Sequence, residues 1–335
     1  MRAPGFYFQP PGIAANLLFP LAAVYGAAAA ARMRRPGTRA SVPVICVGNL
    51  TLGGAGKTPT ALALANLLAA MGERPVFISR GHGGDNRGPL VVALGGHDAD
   101  DVGDEPLLLA RAFPTIVARN RLAGAALAVE HGASVLVLDD GFQNPDLHKD
   151  LALVVIDAVN GVGNGAVFPA GPLRAPLEAQ LAHAHAIVRV GAGAGAEPVI
   201  VRAAARNIPA FPARLVPDAH AAKGVAGRKV LAFAGIGHPE KFFATLEEVG
   251  ADIVKARAFA DHHRYSAQEA ADLLRTAKDR GLQLVTTEKD LARMQGGRTL
   301  AELATAVRTL PVKLEFADAG AMRKVLEAAI AKARR

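Results

Sequence analysis

Apolar positions in this chain follow two rhythms. Short unbroken runs rich in β-branched residues occur at 42–47, 75–79, 115–118, 135–138, 151–156 and 186–190. Between them, 58–70, 105–112 and 121–130 carry the spacing of helices. Unbroken apolar strands alternating with helices predict a mostly parallel sheet covered on both faces. A Gly/Ala stretch at 191–196 reads as a hinge or hairpin, and a second series follows: a strand at 229–233, a helix at 239–249, a strand at 253–256, a helix at 267–280 and a strand at 282–286. Residues 312–316 read as one more strand and 319–335 as a basic terminal helix. The predicted fold is α/β in two units: an N-terminal helix over 1–35, a first unit over 36–200, a smaller α/β unit with linker strands over 201–316, and a C-terminal helix over 317–335.

Composition narrows the class. At 335 residues with 51% hydrophobic and 20% charged positions, the chain can build a sizeable core and is neither disordered nor fibrous. Its single cysteine, Cys46, lies in an apolar run, which excludes a disulfide-stapled scaffold and points to a buried thiol. A net charge of +8 favours anionic partners without choosing among them.

Residues 13–31 are almost wholly apolar and are followed by Arg32, Arg34, Arg35 and Arg39. The length could just cross a bilayer, and the small residues at its end resemble a signal cleavage region. Ordinary packing on the chain's own body is a further reading. The favoured one is a helix in the membrane interface, because Ile13, Leu17, Leu21 and Val24 form one stripe and the arginines stand at its end.

The strongest chemical signal follows the first strand. Gly53, Gly54, Ala55, Gly56, Lys57 and Thr58 lie between that strand and a helix, the context of a phosphate-binding loop. Backbone N–H groups there converge on phosphate oxygens, Lys57 reaches the β/γ-phosphates, and the Thr58 hydroxyl is placed for Mg²⁺. Thr51 stands where the usual pattern has its first glycine. The run at 135–138 ends in Asp139 and Asp140, carboxylates at the sheet end where open α/β folds bind ligands. One of the two is expected to face the metal and the other to hold the loop. Asp104 and Glu105 head another helix, where Asp104 reads first as an N-cap. Asp261, His262 and His263 form a candidate proton-transfer cluster. The remaining histidines, among them His183 and His185, lack metal-ligand spacing, and zinc is not indicated. No Asn is followed by Lys, so the base-reading motif of signalling GTPases is missing, and nothing resembles a nucleic-acid domain. A small-molecule or lipid kinase remains.

At this point the motifs resemble one family, the tetraacyldisaccharide 4′-kinases of Gram-negative lipid A biosynthesis. The resemblance rests on Val47-Gly48-Asn49-Leu50 leading into the phosphate loop and Pro59, then Ser79-Arg80-Gly81, Val102-Gly103-Asp104-Glu105-Pro106, Asp139-Asp140-Gly141-Phe142-Gln143, Gly171-Pro172-Leu173-Arg174, Ala234-Gly235-Ile236, Asp261-His262-His263 and Thr286-Thr287-Glu288-Lys289-Asp290. These run in order over nearly the whole chain. The resemblance implies transfer of the γ-phosphate of ATP to the 4′-hydroxyl of a tetraacylated glucosamine disaccharide 1-phosphate, giving lipid IVA. It implies ATP and Mg²⁺ as cofactors, peripheral attachment to the cytoplasmic face of the inner membrane, no nucleic-acid partner and a monomer. Lys57 and the loop hold phosphate; Thr58, Asp139, Asp140 and Glu105 organise the metal. Asp104 accepts the proton, with His262 orienting it and raising its basicity. Arg80, Arg119 and Arg121 are candidates to neutralise the lipid or the phosphoryl group. The alternative is a membrane-docked, nucleotide-driven switch ATPase. Two positions depart from the family pattern, Asn144 where a His is frequent and Ala175 where a Glu is frequent, so no role is assigned to either.

Overall fold

The computed structural model describes residues 4–335. After a 3₁₀ turn at Gly5–Phe8, the first helix, α1, spans Ile13–Met33. The large unit then follows: β1 (Val44–Asn49), α2 (Lys57–Ala70), β2 (Pro75–Ser79), β3 (Leu90–Val91), α3 (Ala99–Val102), α4 (Asp104–Ala110), β4 (Thr115–Val117), α5 (Arg121–Glu130), β5 (Val135–Asp139), β6 (Leu151–Asp157), α6 (Leu177–Leu181), β7 (Ala186–Val190), α7 (Glu197–Ala204) and β8 (Ala210–Pro217). The small unit holds α8 (Ala219–Val225), β9 (Lys229–Ala234), α9 (Pro239–Glu248), β10 (Asp252–Ala258), α10 (Ala267–Arg280), β11 (Gln283–Thr286), α11 (Glu288–Ala292), α12 (Arg298–Ala306) and β12 (Arg308–Thr309). The chain then returns through β13 (Val312–Phe316) and α13 (Ala319–Ala333).

Two sheets result. The large one has the order β13-β8-β7-β6-β1-β5-β2-β4-β3, parallel except for the β13–β8 and β3–β4 pairs at its edges. The small one is parallel in the order β10-β9-β11-β12. β1 sits centrally and is wholly buried because its side chains feed two cores alternately. Val44 and Cys46 join the cluster containing Leu138 and Phe142; Ile45 and Val47 join the one containing Leu64 and Phe77. Local signals fix the helices: Asn120 caps α5, and Ser266 with Glu269 forms a capping box on α10.

One expected boundary is corrected. The second unit with its linker strands is expected over 201–316, yet 210–217 and 312–316 both belong to the large sheet, paired antiparallel with Pro217 opposite Val312. α13 likewise covers the large unit, its Met322, Leu326 and Ile330 sharing a core with Leu64 of α2. The reason is pairing: β8 finds an open edge at β7, and β13 completes it. The small unit therefore hangs on a two-stranded connection.

Gly48, the fifth residue of β1, lies against the segment that follows β5. A Cβ there would stand 2.3 Å from Cβ of Phe142, in a fully packed core. Gly48→Ala is expected to destabilise the protein by ~1–3 kcal/mol through overpacking, read as a lowered midpoint in thermal unfolding.

Candidate functional site

The phosphate loop leaves β1 at the centre of the large sheet, where ligands meet open α/β folds. Thr51 takes an extended place there, bridged to Leu173, while Leu52 N–H donates to Pro172 O at 2.8 Å. That strand-like start explains why a β-branched residue fits. The turn itself needs left-handed backbone, supplied by Gly53 (φ 99°) and by Gly56 (φ 86°), the N-cap of α2. The Asn49 amide donates to Gly53 O at 3.0 Å and steadies the loop. Gly54 and Ala55 lie within it, and Lys57 and Thr58 open α2 with both side chains buried.

Parallel register sets Val47 beside Asp139, so the two acids of 139–140 arrive under the loop. Their environments differ. Asp139 is 1% exposed, and neither carboxylate oxygen has a hydrogen-bond partner among the described residues. Burial, reinforced by Glu105 and opposed by Lys57, pushes its carboxyl up to about 7. Asp140, with φ 54°, turns the other way. Arg174 grips it with two bonds, at 2.7 and 3.1 Å, and Lys57 Nζ lies 3.9 Å away. Burial would raise Asp140, but Lys57 and Arg174 hold it down at about 2. Arg174 also donates from Nε to Thr51 O at 2.9 Å, so Asp140 is tied to the start of the loop, while Asp139 is left without a partner among the described residues.

Across the cleft the small unit supplies the counter-charges. Glu105 accepts from Lys289 Nζ at 2.6 Å, and that ammonium is the main reason its carboxyl lies low. Asp104 does not cap α4, because Gly103 is the N-cap and Asp104 is the first helical residue. Its Oδ1 accepts from Glu105 N–H at 3.0 Å. Its Oδ2 accepts from Arg293 Nε at 2.8 Å and from Nη2 of the same guanidinium. His262 Nδ1 stands 3.4 Å from that oxygen, and its ring rests edge-on against His82. Burial works to raise Asp104, yet the His262 hydrogen bond, Arg293 and Lys289 outweigh it and hold the group well below the usual carboxylate range. Asp104 in turn raises His262. The expectation that His262 makes Asp104 more basic is thus reversed: its hydrogen bond, like the Arg293 guanidinium, favours the ionised carboxylate.

His263 faces Glu269 instead, at 3.1 Å. Arg80 and Arg119 are exposed, as a role toward an anionic ligand requires. Arg121 is not available for one, since it is buried and donates to Ala118 O at 2.7 Å. Asn144 bonds Asp146 within its own turn, and Ala175 is fully buried with its carbonyl accepting from Gln180. Sequence reasoning assigned no part to Arg174, Lys289 or Arg293. The first two stand in the recognised motifs; Arg293 carries no local signature beyond its position three residues after Asp290.

Comparison with known proteins follows the same lines. Residues 14–331 match the family described as tetraacyldisaccharide-1-P 4′-kinase. A tetraacyldisaccharide 4′-kinase of Methylobacterium sp. (strain 4-46) is 57% identical over 98% of this chain and 98% of its own. One from Nitrobacter winogradskyi is 53% identical over 100% and 99%. The crystal structure of the "apo" form of LpxK from Aquifex aeolicus in complex with ATP superposes with a TM-score of 0.71 at 26% identity, covering 94% of this chain and 99% of that one.

Asp139 generates a stability prediction with a definite sign. Its folded pKa of about 7 exceeds the unfolded value of ~3.9, so its ionisation opposes folding. Asp139→Asn should leave stability unchanged below pH ~4, gain progressively from pH ~4 to ~7, and hold a constant gain of roughly 1–4 kcal/mol above that. Thermal unfolding of the ligand-free protein across this range measures it.

Proposed function

The chain belongs to the tetraacyldisaccharide 4′-kinase family, and from that premise we propose which of its residues carry the reaction. The activity is transfer of the γ-phosphate of ATP to the 4′-hydroxyl of tetraacyldisaccharide 1-phosphate, a step of lipid A biosynthesis. Lys57 and the N–H groups of the loop at 53–58 hold the phosphates, the geometry that helix N-termini offer to anions. Lys57 is the catalytic cation, because its charge follows the γ-phosphoryl group as negative charge develops.

Mg²⁺ fits the donors present. The buried carboxylate of Asp139, without a partner among the described residues, together with the Thr58 hydroxyl suits a hard cation that takes one or two protein oxygens and leaves the rest to phosphates and water. Bound there, the ion would neutralise charge on the phosphates. Asp140 and Glu105, each engaged by a basic side chain, would act as its neighbours.

Asp104 and His262 are the acceptor-side pair. The observation that carries this reading is their approach to 3.4 Å from opposite units, within a group of charges that includes Lys57. Asp104 aligns the hydroxyl and takes its proton as the new P–O bond forms; His262, drawn toward its charged form, fixes the carboxylate's charge and place. Such a pair acts only when the two units meet, which also shields the phosphoryl group from water.

α1 supports attachment to a membrane. Ile13, Leu17, Leu21 and Val24 are 60–81% exposed, whereas Ala15, Ala22, Gly26, Ala30 and Met33 face the protein. The helix is long and apolar enough to cross a bilayer by length and composition. With one face seated on its own unit, we read it as lying in the interface of the cytoplasmic leaflet, on a monomeric enzyme.

Transfer and membrane binding each test these assignments. Incubation with ATP, Mg²⁺ and the disaccharide lipid should give a monophosphate-to-bisphosphate mass shift. Asp104→Ala and His262→Ala should each slow single-turnover transfer by ~10²–10⁴, with the double variant little slower than the worse single one. Multiplicative losses would break the pair, and phosphate release without lipid phosphorylation would favour a switch ATPase. Leu17→Glu with Leu21→Glu should abolish co-sedimentation with anionic vesicles while leaving the thermal midpoint unchanged, because both side chains project into solvent. Undiminished sedimentation would refute the docking face.

A further inference from the structure

Arg293 is 9% exposed and reaches across from the small unit to Asp104 of the large one. Its guanidinium is held on the near side as firmly as on the far side. Nη1 donates to Gly235 O at 2.7 Å and lies 3.2 Å from Asp290 Oδ1. Asp290, fully buried, is itself fixed: Oδ1 accepts from Gly235 N–H at 2.9 Å and from the Tyr265 hydroxyl at 2.8 Å, and Oδ2 accepts from the Thr287 hydroxyl at 2.6 Å. The planar fork therefore has one orientation, and Nε and Nη2 both meet the same oxygen, Oδ2 of Asp104.

This leaves the two oxygens of Asp104 unequal. Oδ2 is occupied by Arg293 and approached by His262, whereas Oδ1 receives, among the described residues, one backbone N–H from Glu105 at 3.0 Å. A carboxylate oxygen has room for a further donor. We propose that Arg293 is the positioning residue of the reaction: by occupying Oδ2 it fixes the carboxylate plane and makes Oδ1 the atom that takes the hydroxyl proton. The proposal rests on the reading of Asp104 as proton acceptor. In the step, the 4′-oxygen bonds to the γ-phosphorus while the bond to the β,γ-bridging oxygen breaks. That electron pair leaves with ADP, and the proton goes to Oδ1. Because Arg293 and its anchors Gly235, Tyr265 and Asp290 all belong to the small unit, the carboxylate is aligned only when the units are together.

The test uses the full chain in single-turnover transfer from ATP–Mg²⁺ to the disaccharide lipid. Arg293→Ala should slow transfer by ~10²-fold, the scale of a misplaced reacting group, with the KM for ATP changed by less than about threefold. Added methylguanidinium should restore at least about tenfold of the loss, a recovery that a folding defect would not show. In the Asp104→Ala background, Arg293→Ala should cost less than about threefold, since it acts through that carboxylate. A rate near wild type in Arg293→Ala, no rescue, or a full loss repeated in the Asp104→Ala background would each overturn the proposal. If Arg293→Ala does not fold, Arg293→Lys carries the test: it keeps the charge, loses the fork, and should be at least about tenfold slower, a wild-type rate overturning the proposal. A fully active Asp104→Ala would instead remove the acceptor reading itself. A dead Asp104→Ala beside an unaffected Arg293→Ala would remove this inference alone.

Discussion

Carboxylates crowd beneath the phosphate loop, and their charges must be balanced before anything else in the molecule can be arranged. Asp140 is balanced from within the large unit by Arg174 and Lys57. Asp104 and Glu105 take their ion-pair partners, Arg293 and Lys289, from the small unit. Like charges at this spacing repel strongly when desolvated, and removing one partner of a buried pair is costly. The contact between the units is thus written in counter-ions at the site itself. Lys241 with Asp157, and Arg264 with Asp100, add pairs farther out, on surfaces where each contributes little.

The same balance separates residues that are chemically alike. Asp139 and Asp140 are neighbours in sequence, yet burial pushes one carboxyl up while Lys57 and Arg174 hold the other down, because Asp140 is itself left-handed and turns away from its neighbour. His262 also adopts positive φ, at 56°. Non-glycine residues held in that region concentrate where geometry serves function. Here each turn aims a side chain into the cleft.

How far the sequence was legible follows from how local each signal is. The run into β1, the glycines at 53 and 56, and the acids after β5 are contiguous, so chemistry and placement could be read together. The strand at 312–316 is legible from its own residues and the one at 210–217 only as part of a linker, and nothing in five or eight residues names the sheet they join. That depends on which edges remain open after folding. Arg293 meets Asp104 across 189 positions, a separation at which spacing carries no information. Asp104 itself looked like a cap, and only the φ of 89° at Gly103 shows that the cap position is already filled.

The β8–β13 pairing also orders events in time. β8 is synthesised before the small unit and β13 after it, so one edge of the large sheet stays open until all the residues of 219–310 have been made. An unpaired edge is a template for wrong partners, and exposed strands of this kind are what chaperones shield in slow-folding α/β chains. α13 arrives later still, and its Met322, Leu326 and Ile330 share a core with the helix that follows the phosphate loop. The helix that opens with Lys57 is therefore made early and covered last, and the chain must emerge nearly whole before that helix is buried.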